Sequence, residues 1–286
     1  MRIDAHQHFW HYTPEEYGWI GPGMEVLQKD HLPANLAPLL ESARIDGTVA
    51  VQARQTLAET EWLLALAEQH PFIKGVVGWV DLRSRDLRAQ LERFCAHPKF
   101  RGVRHVVQDE PDGQFMLRPD FLRGLAALAE FGLTYDILIF PRHLPAACQV
   151  VERFPDQPFV LDHIAKPFIK DRIVEPWATD IRRLAALPNV CCKVSGMATE
   201  ADWQRWQAPD FRPYLDVVLN AFGPGRIMFG SDWPVCTLAG SPVPGHGTGY
   251  LEVGGIICNY VQDLSAEEQA DVWSRTAVRF YKLEQP

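Results

Sequence analysis

The feature that most constrains this chain is a repeat of pattern. Short strand-forming runs recur along it, each followed by a stretch whose apolar residues fall at helical spacing. Eight runs stand out: Arg2–His6, Gly47–Ala53, Ile73–Val80, Gly102–Val107, Gly132–Ile137, Phe159–Asp162, Val190–Val194 and Ile227–Gly230. Helical patterns follow near 35–45, 58–69, 86–96, 119–131, 145–154, 175–187, 211–222 and 265–281. The last opens on Ser265 with Glu268 three residues on, the form of a capping box. Strict alternation implies parallel strands joined by crossover helices, and eight units suffice to close a ring. The pattern therefore predicts an α/β fold, a (β/α)8 TIM barrel, read as a single domain over residues 1–286. A doubly wound open sheet is the competing arrangement. No glycine-rich phosphate loop follows any of the runs, and the unit count suits closure better.

Charge narrows the partners. A formal net charge of −8 and a pI near 5.7 argue against nucleic acid and anionic membranes, which require a basic footprint, and leave a small molecule as ligand. Six cysteines, at 95, 148, 191, 192, 236 and 258, form no CxxC pair and no framework, as expected of reduced thiols without a catalytic role. The start, Met1-Arg2-Ile3-Asp4-Ala5-His6, has no apolar leader segment, and no run approaches the ~20 apolar residues of a membrane span. A cytoplasmic location is expected, and nothing here speaks to oligomeric state.

Two connections are longer than the rest. Phe9–Ala34 follows the first strand and carries Trp10, Tyr12, Tyr17, Trp19 and His31; Trp233–Gly255 follows the eighth and is rich in Gly and Pro. In a closed barrel the first and eighth strands are neighbours, so both loops rise from one rim and read as binding walls. Acid/base-capable residues gather at the same rim. Asp4-x-His6-x-His8 lies on the first strand, where alternation places all three side chains on one face. Leu161-Asp162-His163-Ile164-Ala165-Lys166-Pro167 ends the sixth strand, and Gly230-Ser231-Asp232-Trp233-Pro234 ends the eighth. An Asp at a strand end reads equally well as a turn residue and the sixth-strand run as the start of a polar loop, whereas H-x-H at the end of a buried strand favours a site over packing. Three strands ending this way at the C-terminal face point to a catalytic site.

H-x-H on the first strand with Asp on the eighth resembles the amidohydrolase superfamily. Together with D-H-x-A-K-P and G-S-D-W-P, it is similar to the branch holding sugar lactonases and 2-pyrone-4,6-dicarboxylate lactonase, over essentially the whole chain. Within that branch the chain looks most like enzymes of the L-fuconolactonase or L-rhamnonolactonase type. The resemblance implies hydrolysis of a sugar lactone, with a 6-deoxy sugar as the expected substrate. It departs from binuclear members of the superfamily, which place a lysine or glutamate at the fourth strand and a histidine at the fifth. Here those ends read Gly102-Val103-Arg104-His105 and Tyr135-Asp136-Ile137, and arginine, always protonated, cannot ligate a metal. His105 and His143 are the nearest substitutes. The usual bimetal set is thus incomplete, and the resemblance to the lactonase branch implies that no cofactor is required; a weakly held divalent cation such as zinc, at His6, His8, His163 or Asp232, is the alternative such a set allows.

For lactone hydrolysis Asp232 is the expected general base, among His6, His8 and His163, and Lys166 the expected electrophile for the carbonyl oxygen. Arg54 and Arg104, at the ends of the second and fourth strands, are expected with His105 to meet substrate hydroxyls or a carboxylate. Trp10, Trp19 and Trp233 offer ring faces to a sugar. Ser195 lacks a G-x-S-x-G elbow and is not read as a nucleophile. Two other functions compete: a metal-dependent amidohydrolase or decarboxylase using His6, His8, His163 and Asp232 as ligands, and a barrel that only binds.

Overall fold

The structure is a computed structural model that describes residues 1–240 and 249–284. Eight strands lie in chain order in one parallel sheet: β1 (Ile3–Gln7), β2 (Gly47–Val51), β3 (Ile73–Gly78), β4 (Phe100–His105), β5 (Thr134–Ile137), β6 (Phe159–Leu161), β7 (Val190–Val194) and β8 (Ile227–Phe229). The two ends of the sheet meet just beyond β8. Asp232 N donates to His6 O at 2.8 Å and His8 N donates to Trp233 O at 2.6 Å. This closure makes the sheet a (β/α)8 barrel and sets aside the open sheet.

Helices α1 (Pro33–Ala43), α2 (Leu57–Gln69), α3 (Leu87–Cys95), α4 (Pro119–Glu130), α5 (Leu144–Arg153), α6 (Trp177–Ala185) and α7 (Ala208–Phe222) form the crossovers. The C-terminal part departs from expectation in two ways. The stretch read as the loop Trp233–Gly255 holds a 3-10 turn at Val235–Ala239 and the start of α8 (Tyr250–Val261), while residues 241–248 lie outside the described residues. Adjacent Gly254 and Gly255, each costing about 1 kcal/mol relative to alanine in a helix, hide α8 from a reading by propensity. The helix expected over 265–281 is α9 (Ala266–Ala270) and α10 (Thr276–Tyr281), joined by a π-helical turn at Asp271–Arg275. The Ser265–Glu268 capping box is present, with Glu268 N donating to Ser265 Oγ at 3.3 Å and Ser265 N to Glu268 Oε2 at 2.9 Å.

Strands of a closed barrel are buried on both faces. Outward residues such as Val76, Val103, Leu161 and Cys192 pack against the helices. Inward residues Ile3, Ala5, Val49, Val51, Val77, Val160 and Met228 fill the barrel, joined by Ala277, Tyr281 and Leu283 from the C-terminal segment. Leu283 lies against Gly75 near the start of β3, so this segment plugs the N-terminal mouth and leaves the opposite rim open. At that rim Trp10, Tyr17, Ile20 and Leu27 of the β1–α1 connection pack with Val235 and Leu238 from beyond β8, as neighbouring loops should.

Candidate active site

The first strand does not keep simple alternation. Between Asp4 and Gln7 it spans three steps while β2 spans two, from Thr48 to Ala50. The extra residue is a bulge, and it corrects the expectation that Asp4, His6 and His8 share a face. Asp4 points to the helical layer, where Oδ1 accepts from Ser231 N at 2.9 Å. Its Oδ2 accepts from Ser231 Oγ at 2.6 Å and Tyr250 OH at 3.0 Å. Burial pushes its carboxyl up to about 6, against the pull of these bonds. His6 and His8 turn inward instead.

Three imidazoles converge on one carboxylate oxygen. Asp232 Oδ1 lies 3.3 Å from His8 Nε2, 3.7 Å from His163 Nε2 and 3.8 Å from His6 Nε2. His8 Nδ1 is 2.8 Å from Val51 O, and because a carbonyl only accepts, Nδ1 carries a proton and Nε2 is the atom turned to Asp232. His163 Nδ1 sits 2.9 Å from the hydroxyl of Ser195, which is fully buried and so placed to orient the ring rather than to attack substrate. Gly196 has φ +61°, and a Cβ there would fall 2.5 Å from His163 Nδ1, so only glycine lets the ring in.

The segment that delivers His163 and Lys166 is strained. His163, Ile164, Ala165 and Lys166 all adopt left-handed backbone angles, φ +48° to +60°, as does Asp232 at +59°. Each such non-glycine residue costs roughly 1–2 kcal/mol, a cost met by the surrounding packing and concentrated where the side chains converge. Burial acts strongly on the titrating groups. It pulls His6 and His163 well below the ordinary imidazole range, helped at His6 by the charge of Lys193, so both rings are neutral near pH 7. At Asp232 burial pushes upward, but His163 and His8 outweigh it and hold the carboxyl below its usual value of 3.8.

Below this cluster lies a buried polar network. Arg104 donates through Nε to Gln52 Oε1 at 2.8 Å, to the Gln52 carbonyl, and through an Nη1 that is 3.1 Å from Asp162 Oδ2 and 3.2 Å from His6 Nε2. Lys193 Nζ lies 2.5 Å from Asp136 Oδ2, 3.0 Å from Asp162 Oδ1 and 3.1 Å from His6 Nδ1. Tyr281 OH donates to Asp136 Oδ2 at 2.7 Å. Burial pushes Asp136 up to about 6; at Asp162 it also pushes up, but Lys193 and Arg104 prevail and hold that carboxyl low. Gln52, Asp136, Asp162 and Lys193 had not been singled out as site residues. A lysine within the otherwise apolar run Val190-Cys191-Cys192-Lys193-Val194 was the available signal, because a charge on a barrel strand needs a partner inside.

Above the cluster opens a cleft of about 740 Å³. His8, His163, Asp232, Lys166, Arg54 and Arg104 line it, so six of the expected residues meet there. His6 lies just beneath, fully buried. Four expectations fall elsewhere. Trp10 is buried with its indole donating to Leu27 O and Lys29 O at 3.3 and 3.0 Å, and Trp233 packs between Phe9 and His31; neither lines the cleft, since their bulk serves the loop core. His105 is stacked on Phe115 and bonded to Glu110 at 2.7 Å, and the His143 ring accepts from Phe140 N at 3.2 Å, so both are committed outside the site. Trp19 does face the cleft, and with it come Glu16, Gln108, Glu200 and Trp203, which the motifs had not marked.

His6 Nε2, His8 Nε2 and Asp232 Oδ1 are three nitrogen and oxygen donors 3.2 to 3.8 Å apart, a set that could hold a divalent ion. A family model described as Amidohydrolase matches residues 3–283. The chain belongs to the amidohydrolase family. This amidohydrolase is 43% identical to an L-fucono-1,5-lactonase of Burkholderia multivorans, covering 100% of the chain and 97% of that protein. It is 37% identical to an L-fucono-1,5-lactonase of Burkholderia ambifaria, again over 100% and 97%. A crystal structure of an amidohydrolase from Burkholderia multivorans with bound zinc superimposes with TM-score 0.93 at 43% identity, covering 99% of this chain and 100% of that one. Among the described residues no helix is long and apolar enough to cross a membrane.

Proposed function

We propose that this amidohydrolase opens a sugar lactone of the L-fucono-1,5-lactone type to its aldonic acid, with Asp232 activating the attacking water. The observation that carries the reading is the convergence of three imidazoles on Asp232 Oδ1 at the floor of a cleft also lined by Lys166 and Arg104. Asp232, ionised across the neutral range, takes a proton from water as its oxygen bonds to the carbonyl carbon. Lys166, which lines the cleft together with Arg104, meets the negative charge that develops on the carbonyl oxygen. The ring C–O bond then breaks, and the proton held at Asp232 passes to the departing ring oxygen. His8 and His163, whose Nε2 atoms lie 3.3 and 3.7 Å from Asp232 Oδ1, orient the carboxylate and water.

The charge pattern of the cleft supports a neutral polyol over a dicarboxylate. Each cation lining it already faces a carboxylate: Arg54 pairs with Glu16, Lys166 lies 4.0 Å from Glu200, and Arg104 lies 3.1 Å from Asp162. A substrate with two carboxylates needs free cations; a sugar needs mixed donors and acceptors. The names of the two Burkholderia relatives support the same substrate class. A divalent ion held by His6, His8 and Asp232 supplies Lewis-acid polarisation when bound. We read it as dispensable because the guanidinium of Arg104, 3.2 Å from His6 Nε2, already brings positive charge to that donor set. We read the whole chain as one domain acting in the cytoplasm.

The test is acid release from a panel of aldonolactones, followed with a pH indicator on purified protein with and without a chelator. Hydrolysis of a 6-deoxy-sugar 1,5-lactone that survives chelation is expected. Silence across the panel refutes the substrate class, and loss of turnover on chelation favours the metal-dependent reading to which the three-donor set also lends itself.

A further inference from the structure

The cleft above Asp232 has two chemically distinct sides. Val235 and Leu238 lie on the 3-10 turn Val235–Ala239 that follows Asp232 and β8. Residues three apart on such a turn stack on one face, and both of these side chains line the cleft. Met24 from the loop after β1 and Ala53 from beyond β2 line it too, and all four pack against the buried cluster of Trp10, Tyr17, Ile20 and Leu27. None of the four side chains carries a hydrogen-bond donor. The turn is fixed relative to the base, because Cys236 N donates to Asp232 O at 2.9 Å and Trp206 Nε1 to Ala239 O at 2.7 Å. The other side, from the loops after β4, β6 and β7, is polar. Gln108, Lys166 and Glu200 line it, and the buried Gln108 side-chain oxygen has no hydrogen-bond partner among the described residues.

The reaction decides how a 1,5-lactone lies between these sides. Its carbonyl oxygen meets Lys166, and its departing ring oxygen takes the proton from Asp232. Ring atom C5 is bonded to that oxygen, so the C5 substituent lies on the Asp232 side, against the turn that follows. The hydroxyls of C2 and C3 then fall toward the polar side. In a 6-deoxy sugar the C5 substituent is a methyl group, which gains from an apolar partner; in a 6-hydroxy sugar it is a hydroxymethyl group, which loses a hydrogen bond to water when buried against one. We propose that Val235, Leu238, Met24 and Ala53 form a methyl pocket through which this amidohydrolase selects 6-deoxy lactones over their 6-hydroxy counterparts. Val235 and Leu238 are its specificity-determining residues. Selection of this kind rests on the lactonase reading and on proton transfer from Asp232 to the ring oxygen.

The test compares kcat/KM of the full chain on three freshly prepared 1,5-lactones of one configuration, carrying methyl, hydroxymethyl or hydrogen at C5. Wild type should favour methyl over hydroxymethyl by about 10–100-fold, and over hydrogen by about tenfold or more. Val235→Thr keeps the side-chain shape and adds a hydroxyl to the wall; Leu238→Asn does likewise with an amide. Each should shrink the methyl-to-hydroxymethyl ratio by about tenfold, whereas a wall with only a structural role would slow all three lactones alike and leave the ratio unchanged. The wild-type ratios involve no substitution, so they carry the test even where a variant fails to fold. Equal wild-type rates for methyl and hydroxymethyl, or ratios unmoved in both variants, would overturn methyl selection and leave the lactonase reading intact. Absence of turnover on all three lactones would overturn both.

Discussion

Asp4 gives the most direct test of how this barrel is closed. It sits on β1, is fully buried, and accepts hydrogen bonds from Ser231 beyond β8 and Tyr250 of α8. Burial raises its carboxyl from an ordinary 3.8 to about 6, so the folded chain holds this proton more tightly than the unfolded chain does. A group of that kind contributes its full stability below pH 3.8, and the contribution is lost as pH climbs through 6. Roughly two units at 1.36 kcal/mol each make about 3 kcal/mol in all, of which about half is lost between pH 5 and 8. Asp4→Asn removes the titration. It retains an acceptor for Ser231 N, while an amide NH2 replaces the oxygen that accepts from Ser231 Oγ and Tyr250 OH and forces those hydroxyls to turn, a cost of about 1–2 kcal/mol that does not vary with pH in this window. Urea denaturation of both proteins at pH 5 and pH 8 separates the two effects. The stability of wild type relative to the variant should fall by about 1–2 kcal/mol on going from pH 5 to pH 8. Parallel pH dependences would refute the reasoning, because they would mean that the hydrogen bonds from Ser231 and Tyr250 outweigh burial and keep Asp4 ionised. Asp136, also near 6, and the opposite pull of buried His6 and His163 are common to both proteins and cancel in the difference.

The remaining predictions concern the cleft. Asp232→Asn keeps the size of the side chain and removes the base, and should lower kcat by about 10²–10⁴ with a smaller change in KM; turnover within threefold of wild type would remove Asp232 from the role. Lys166→Met should lower kcat by about 10²–10³ if its ammonium meets the developing oxyanion, whereas a rise confined to KM would make it a ground-state contact. Exhaustive dialysis against a chelator should leave turnover of a responsive lactone intact, checked by metal content and rate on the same sample.

The strand count, the parallel order and the rim on which the site sits were legible in the sequence because they rest on period and alternation, which local residue choice enforces along the whole chain. His8, His163, Lys166 and Asp232 were legible because each stands where an apolar run stops. The rest depends on how one element meets another. Trp10 and Trp233 looked like sugar platforms, yet a large ring on a long loop serves equally to give that loop a core, and only packing tells the two apart. Gln52, Asp136, Asp162 and Lys193 come from four different strands, and none is meaningful alone; together they neutralise charges that no one strand could bury. The bulge in β1 is the sharpest case. Strict alternation would send Asp4, His6 and His8 the same way, and the motif invites that reading. One residue gained against β2 divides them instead, so that Asp4 fastens β1 to Ser231 and α8 while His6 and His8 reach Asp232. A five-residue strand thereby closes the barrel with one face and supplies its chemistry with the other, and it can do both only because its register is broken between them.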